Sequence, residues 1–82
     1  MTHIKFKSLP EHYNKEKSGI KNNTTRWIND KDMRFTALMN MAGGDSPMEN
    51  IEIENSETGE SFVRQIKDVT VFSPVIIITW RA

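Results

Sequence analysis

The sequence predicts a single α+β domain over residues 1–82, built as a small, partly open β-barrel of about five strands with two helices. A chain of 82 residues suffices for one domain with a small core. Its apolar patterns follow the order β-α-β-α and then three or four consecutive strands. Two helices cannot cover both faces of five strands, so we expect the sheet to curl into a partial barrel.

The composition narrows the class of protein. Hydrophobic residues make up 37% and charged residues 27% of the chain, as in ordinary globular proteins. Cysteine is absent, which excludes a disulfide scaffold and a thiolate metal site. The formal net charge of zero argues against strong non-specific DNA binding. No signal-peptide core and no apolar run of about 18 residues is found, so we expect a cytoplasmic protein without a membrane partner.

The first strand and the first helix have clear boundaries in the sequence. Residues 3–7 alternate polar and apolar side chains, which is typical of a half-buried strand. A helix is expected over residues 10–18, because a proline opens it and Gly19 follows as a stop. Tyr13 is its one clear apolar anchor, so this helix is predicted to lie on the surface.

A second helix is predicted over the methionine-rich segment. Asn29 or Asp30 is expected to cap it, residues 33–41 supply its apolar side chains, and Gly43 ends it. Three of the five methionines lie here. Methionines fill irregular cores, and they also form adaptable binding surfaces. We expect the core role.

The second half of the chain predicts β-structure. Gly59 is expected at a positive φ in a hairpin loop over residues 55–60. The apolar phase slips near Lys67 and Asp68, which predicts a bulge. The last strand is apolar on both faces, as a central strand would be. The strand patterns cover residues 51–54, 62–66, 69–72 and 75–80.

The segment between the first helix and the second strand gathers polar groups into one short stretch. Two cations and two hydroxyls fall within six residues, next to a glycine and a tryptophan. A helix that ends at glycine and leads into a strand can direct such groups into one cleft. The alternative is a solvated lysine, ordinary strand threonines and an arginine paired with an acid. The candidate ligand-binding residues are Tyr13, Lys21, Thr24, Arg26 and Trp27.

Catalysis is a weaker hypothesis for the same stretch. Thr24 would need a base to become a nucleophile, and Lys21 serves only if burial or a cation lowers its pKa. A carboxylate would complete the set. The carboxylates near in sequence are Glu11, Glu16, Asp30 and Asp32, and the sequence singles out none of them. We therefore assign no catalytic residue beyond the weak candidates Lys21 and Thr24.

The histidines and tryptophans suggest no cofactor. His3 and His12 are not spaced as a helical pair and lack a third ligand, so we expect surface histidines and no metal. Trp27 and Trp80 could stack a base. We expect one or both to close the core, with Trp80 the more exposed of the two.

The first third of the chain resembles the ASCH family of small PUA-like β-barrels, which includes short phage-borne members. The family pattern is a strand, a helix carrying an aromatic, a small residue with glycine and lysine, and then a threonine and an arginine on the next strand. The matching segments are His3-Ile4-Lys5, Pro10-Glu11-His12-Tyr13, Ser18-Gly19-Ile20-Lys21, Thr24, Arg26 and Asn29-Asp30.

The resemblance implies a PUA-like fold with a cleft between the first helix and the barrel, suited to a nucleobase, a nucleotide or an RNA end. Some small bacterial ASCH proteins hydrolyse acetylcytidine with a lysine, a threonine and a glutamate. Lys21 and Thr24 match the first two positions. The family's glutamate lies in a later segment that this chain lacks, and a methionine-rich helix replaces the usual turn after the arginine strand.

Two classes of function follow from the sequence. The first is a small binding module whose cleft, formed around residues 18–26, takes a nucleotide-like ligand or RNA, with a small amidohydrolase as its enzymatic variant. The second is a phage-type interaction protein that inhibits or sequesters a host protein. Its contact surface would be the acidic segment 49–60, since a run of carboxylates can imitate phosphates.

Overall fold

The computed structural model describes residues 3–81 of the chain, and the side chain of His3 lies outside that description, as does the expectation made for it. Two strands and two helices alternate before a run of three strands, as the sequence predicts. The elements are β1 (His3–Ser8), α1 (Pro10–Lys17), β2 (Asn23–Trp27), α2 (Met33–Ala42), β3 (Asn50–Asn55), β4 (Ser61–Phe72) and β5 (Val75–Trp80).

The five strands form one curled sheet in the order β1-β3-β4-β5-β2. β1 pairs with β3 in parallel, and the other three pairs are antiparallel. The register of β4 against β5 shifts between Ile66 and Asp68, which confirms the predicted bulge. The α+β half-barrel with two helices is therefore confirmed. β1 and β2 are its two edges, and the gap between them is the open side of the barrel.

The concave face of the sheet carries the core. Alternation along β3 buries Ile51 and Ile53 completely, and alternation along β5 buries Ile76, Ile78 and Trp80. The other face of β5 is half-buried, as expected for an apolar strand between two neighbours. Side chains from the helices complete the core, and they are Tyr13 from α1 and Phe35, Leu38 and Met41 from α2.

Helix α2 differs from the prediction in its cap and in its methionines. The cap is Asp32, and neither Asn29 nor Asp30, because the Asp32 side chain accepts a hydrogen bond from the backbone N–H of Arg34 at 3.0 Å. Of the three methionines in the helix, only Met41 is buried in the core. Met33 is 84% exposed, so the core role expected for this segment holds for one of the three.

One tryptophan closes the core, as expected, but it is Trp80, which was expected to be the more exposed of the two. Trp80 is only 2% exposed and packs edge-on against Phe62, with ring centroids 6.2 Å apart. Trp27 is 75% exposed. The expectation that Trp80 would be the more exposed is wrong, because alternation along β2 turns Thr24 and Arg26 inward and leaves Trp27 on the outer face.

Candidate ligand-binding cleft

A cleft of about 290 Å³ opens where the last turns of α1 face the two edge strands. It lies on the open side of the half-barrel, where β1 and β2 share no backbone ladder. Three of the five predicted ligand-binding residues, Lys21, Thr24 and Arg26, line it. Its full lining is Lys7, Ser8, Leu9, His12, Glu16, Lys21, Thr24, Thr25 and Arg26.

Local structure explains how these groups come together. Gly19 adopts a φ of +86°, which lets the chain leave α1 in a left-handed turn that other residues rarely adopt. The backbone N–H of Lys21 then donates to the carbonyl of Lys15 at 3.1 Å, which holds Lys21 beside the helix. Thr24 and Arg26 are two residues apart on a strand, so their side chains share one face.

Arg26 is tied to both edge strands. Its Nε donates to Thr24 Oγ1 at 3.0 Å, its Nη1 to the Lys7 carbonyl at 2.8 Å and its Nη2 to Ser8 Oγ at 2.9 Å. Its guanidinium also lies 4.9 Å above the ring centre of Phe6. One side chain therefore bridges the gap that backbone hydrogen bonds leave open. Arg26 is a structural residue as well as a cleft residue.

The charge of Arg26 is balanced by an acid within the same cleft. Burial lowers the pKa of Arg26 from its ordinary value, and the negative charge of Glu16 opposes that shift. Arg34 lowers the pKa further by like-charge repulsion. Arginine remains protonated at neutral pH despite such shifts, so the cleft keeps a fixed cation.

Glu16 is a candidate functional residue that the sequence did not single out. It is 1% exposed, and its Oε1 has no hydrogen-bond partner among residues 3–81. Buried carboxylates are normally paired, because an unpaired buried acceptor costs about 1–3 kcal/mol. A signal was present in the sequence. Glu16 follows Tyr13 by three positions, so the two share the buried face of α1.

Lys21 supplies a second cation to the cleft. It is half-buried, and its amino group forms no ion pair or hydrogen bond within the described part of the chain. A lysine is a compact charge on a flexible stem, which suits contact with a phosphate or a carbonyl. Thr24 is 3% exposed, and its hydroxyl accepts from Arg26 while its own proton remains available to an acceptor in the cleft.

The two aromatic candidates do not line the cleft. Tyr13 is fully buried and packs against Phe62, with ring centroids 5.4 Å apart. Burial raises the pKa of its phenol, and the charge of Glu60 raises it further. Trp27 points to the opposite face of β2. Neither predicted ring therefore lines the cleft.

A second basin adjoins the cleft along the same open side. It encloses about 500 Å³ and shares Lys7 and Arg26 with the cleft. The Arg34 guanidinium lies 4.3 Å from the ring centre of Phe6 and donates to the Lys5 carbonyl. Arg26 and Arg34 thus both stack on one aromatic ring. The basin is lined by Lys5, Phe6, Lys7, Arg26 and Arg34.

The acidic hairpin between β3 and β4 differs from the cleft because its carboxylates at Glu54 and Glu60 are paired with lysines. Glu54 contacts Lys5 at 2.8 Å and Lys7 at 3.8 Å, and Glu60 contacts Lys17 at 3.4 Å. Lys5 lowers the pKa of Glu54 through a hydrogen bond and through its charge. The loop itself turns at Gly59 with a φ of +78°, as predicted.

Comparison with known proteins identifies no family for this cleft. No family model, no curated protein and no solved structure matches the chain. The resemblance to ASCH domains therefore stays a prediction. Within residues 3–81 no cluster of three or more His, Asp or Glu side chains is placed to hold a metal ion. Neither described helix is long and apolar enough to cross a membrane.

Proposed function

We propose that this protein is a small binding module whose cleft takes a nucleotide-like ligand or RNA, on an ASCH-like, PUA-like domain. One observation carries the proposal. Lys21, Thr24 and Arg26, which the sequence predicts as ligand-binding residues, line a single cleft between α1 and the open side of the curled sheet. Two cations and a hydroxyl in one concave site suit an anionic or carbonyl-rich ligand.

The second basin supports a ligand that extends beyond one nucleotide. Arg26 forms the wall between the two cavities, so a phosphate held at this side chain could continue on either side of it. Phe6 offers an aromatic ring at the same place, although Arg26 and Arg34 already cover it. Short RNAs therefore belong in the first panel of ligands alongside mononucleotides.

The test is calorimetric titration of nucleotides and short RNAs against the parent protein and Lys21→Ala. Because the Lys21 amino group has no partner within the described residues, its loss should weaken binding about tenfold or more without changing the melting temperature. Lys17→Ala is the matched control, since Lys17 lies four residues away and pairs with Glu60 outside the cleft. A parent that binds none of these ligands would refute the proposal.

One observation favours hydrolysis as a second candidate. Glu16 brings a carboxylate into the cleft that holds Lys21 and Thr24, although it comes from α1 and not from the later segment used in the family. Against catalysis, the Thr24 hydroxyl is nearly buried and already accepts from Arg26, with no base on its proton.

We therefore expect no appreciable hydrolysis of acetylcytidine or related N-acyl nucleosides. Chromatographic detection of released nucleoside measures this directly. Turnover that disappears in both Lys21→Ala and Thr24→Ala would replace the binding function with an amidohydrolase.

A further inference from the structure

We propose that Glu16 accepts hydrogen bonds from the base of the ligand. The cleft would then select a base with a guanine-type edge, which presents two adjacent N–H groups beside a carbonyl. The inference rests on the proposed function and adds the chemical class of the ligand. It starts from a buried carboxylate whose Oε1 lacks a partner within residues 3–81 and whose residue lines the cleft.

The structure shows why the protein does not satisfy Glu16 by itself. Arg26 interacts electrostatically with Glu16, yet its three hydrogen bonds go to Thr24, Ser8 and the Lys7 carbonyl. The arginine balances the charge of Glu16 without occupying its oxygens. A carboxylate accepts hydrogen bonds and donates none, so a ligand that completes this site must bring N–H or O–H donors.

The charges of the cleft decide which donors are suitable. A ligand amine or guanidinium would be repelled by Arg26 and Lys21, which line the same small cavity. Neutral N–H groups carry no such penalty. The same two cations require acceptors, so the ligand edge must present donors to Glu16 and a carbonyl or phosphate to the cations.

Among the nucleobases, guanine meets this requirement best. Its ring N–H and exocyclic amine stand side by side and can pair with both oxygens of one carboxylate, and its carbonyl follows next along the same edge. Cytosine and adenine each offer one amine, and uracil offers one ring N–H between two carbonyls. The volume of about 290 Å³ is at the low end for ligand sites of about 300–1,000 Å³, which suits one nucleoside unit.

The experiment compares GMP, IMP, AMP, CMP and UMP by calorimetric titration. IMP keeps the ring N–H and the carbonyl of GMP and lacks only the exocyclic amine. We expect GMP to bind about tenfold to a hundredfold more tightly than AMP or UMP, with IMP in between, as a bidentate base contact discriminates by that order. Equal binding of all five would overturn this inference and leave the proposed function intact. Binding of none of the five would overturn this inference, and the proposed function would then depend on the titration of short RNAs.

The variant that assigns the preference to Glu16 is Glu16→Gln, which keeps the shape of the side chain and removes its charge. We expect it to lose the preference for GMP over IMP and AMP. Glu11→Gln is the control, because Glu11 lies on the same helix with an exposed side chain and outside the cleft. Guanine preference that survives in Glu16→Gln would overturn the role of Glu16. If that variant fails to fold, the parent's preference among the five nucleotides still decides the ligand class.

Discussion

The cleft and the acidic hairpin are both rich in charge, and they differ in how that charge is satisfied. In the hairpin region, Glu54 and Glu60 each contact a lysine from another element. In the cleft, the Lys21 amino group and one oxygen of Glu16 have no partner within residues 3–81. The comparison teaches that the number of charged residues in a stretch says little about function. Charged groups that have no partner inside a concave site are better indicators of a binding site.

The comparison also bears on the alternative function of a phage-type protein that sequesters a host partner. That function needs an acidic surface resembling a row of phosphates. Lys5 and Lys7 lie beside the carboxylates of β3 and balance them, because β1 pairs in parallel with β3 and places lysines opposite glutamates. Glu57 is the exposed acid that remains at the tip of the loop. The alternative stays a prediction, and in the described part of the chain the acids of segment 49–60 that form no ion pair are Glu49 and Glu57.

The largest expected effect comes from removing the arginine of each region. Arg26→Ala deletes two hydrogen bonds that join β1 and β2 and a third to Thr24 within β2, so it should cost about 3 kcal/mol of unfolding free energy and abolish ligand binding. Arg26→Lys should not restore either property, since lysine cannot reproduce the planar fork. Thermal unfolding and calorimetry measure the two effects.

The matched control is Arg64→Ala. Arg64 also stacks on an aromatic ring, 4.7 Å above Phe62, and donates to the Lys17 carbonyl at 3.3 Å. It lies on the hairpin side, outside both cavities, so its loss should lower stability less and leave ligand affinity unchanged. Equal losses of affinity in both variants would show that binding responds to general destabilisation and not to the cleft.

A smaller effect on stability is expected at two glycines with similar positive φ values, and only one of them should also affect binding. Gly19 and Gly59 have φ values of +86° and +78°, and an added Cβ would meet nothing within 4 Å at either position. Alanine at each should cost about 1–2 kcal/mol through backbone strain alone. Gly19→Ala should also weaken ligand binding, because Gly19 sets the path of the chain to Lys21. Gly59→Ala should lower the melting temperature and leave binding intact.

Much of the fold follows from local pattern. Alternation located β1, β3 and the bulge in β4, and glycine marked the end of α1 and the hairpin turn. The tryptophans were assigned wrongly because exposure depends on the phase of a strand against the sheet. In β2 the inward orientation of Thr24 and Arg26 fixes that phase and turns Trp27 outward.

The candidate site was predictable where residues lie close in sequence. Lys21, Thr24 and Arg26 fall within six positions, and a turn followed by a strand brings them to one face. Glu16 could be named only as one of four nearby carboxylates. Its burial depends on the packing of α1 against the sheet, and the partners of Arg26 on β1 lie 18 and 19 positions away along the chain. Single-sequence patterns carry no information about such distant contacts.

The smallest expected effect concerns acid pH and the hairpin charges. Lys5 holds the pKa of Glu54 below its usual value, so the pair stabilises the fold above the unfolded-state pKa, and this stabilisation is lost as the pH falls through the lower folded-state pKa. Glu54→Gln should therefore flatten part of the fall in melting temperature between about pH 5 and about pH 3. Asp32, whose pKa Arg34 also lowers, accounts for another part and should remain.

Glu57→Gln is the control for this titration, because Glu57 has no ion pair in the described part of the chain. The effect is expected to be small, since exposed ion pairs contribute little. Ligand affinity at neutral pH should be the same in both variants and in the parent, because neither glutamate lines the cleft. A gain of affinity in Glu54→Gln would show that the lysines of β1, no longer paired with Glu54, act on the ligand through the second basin. The sharp distinction between the paired hairpin and the unpaired cleft would then fail.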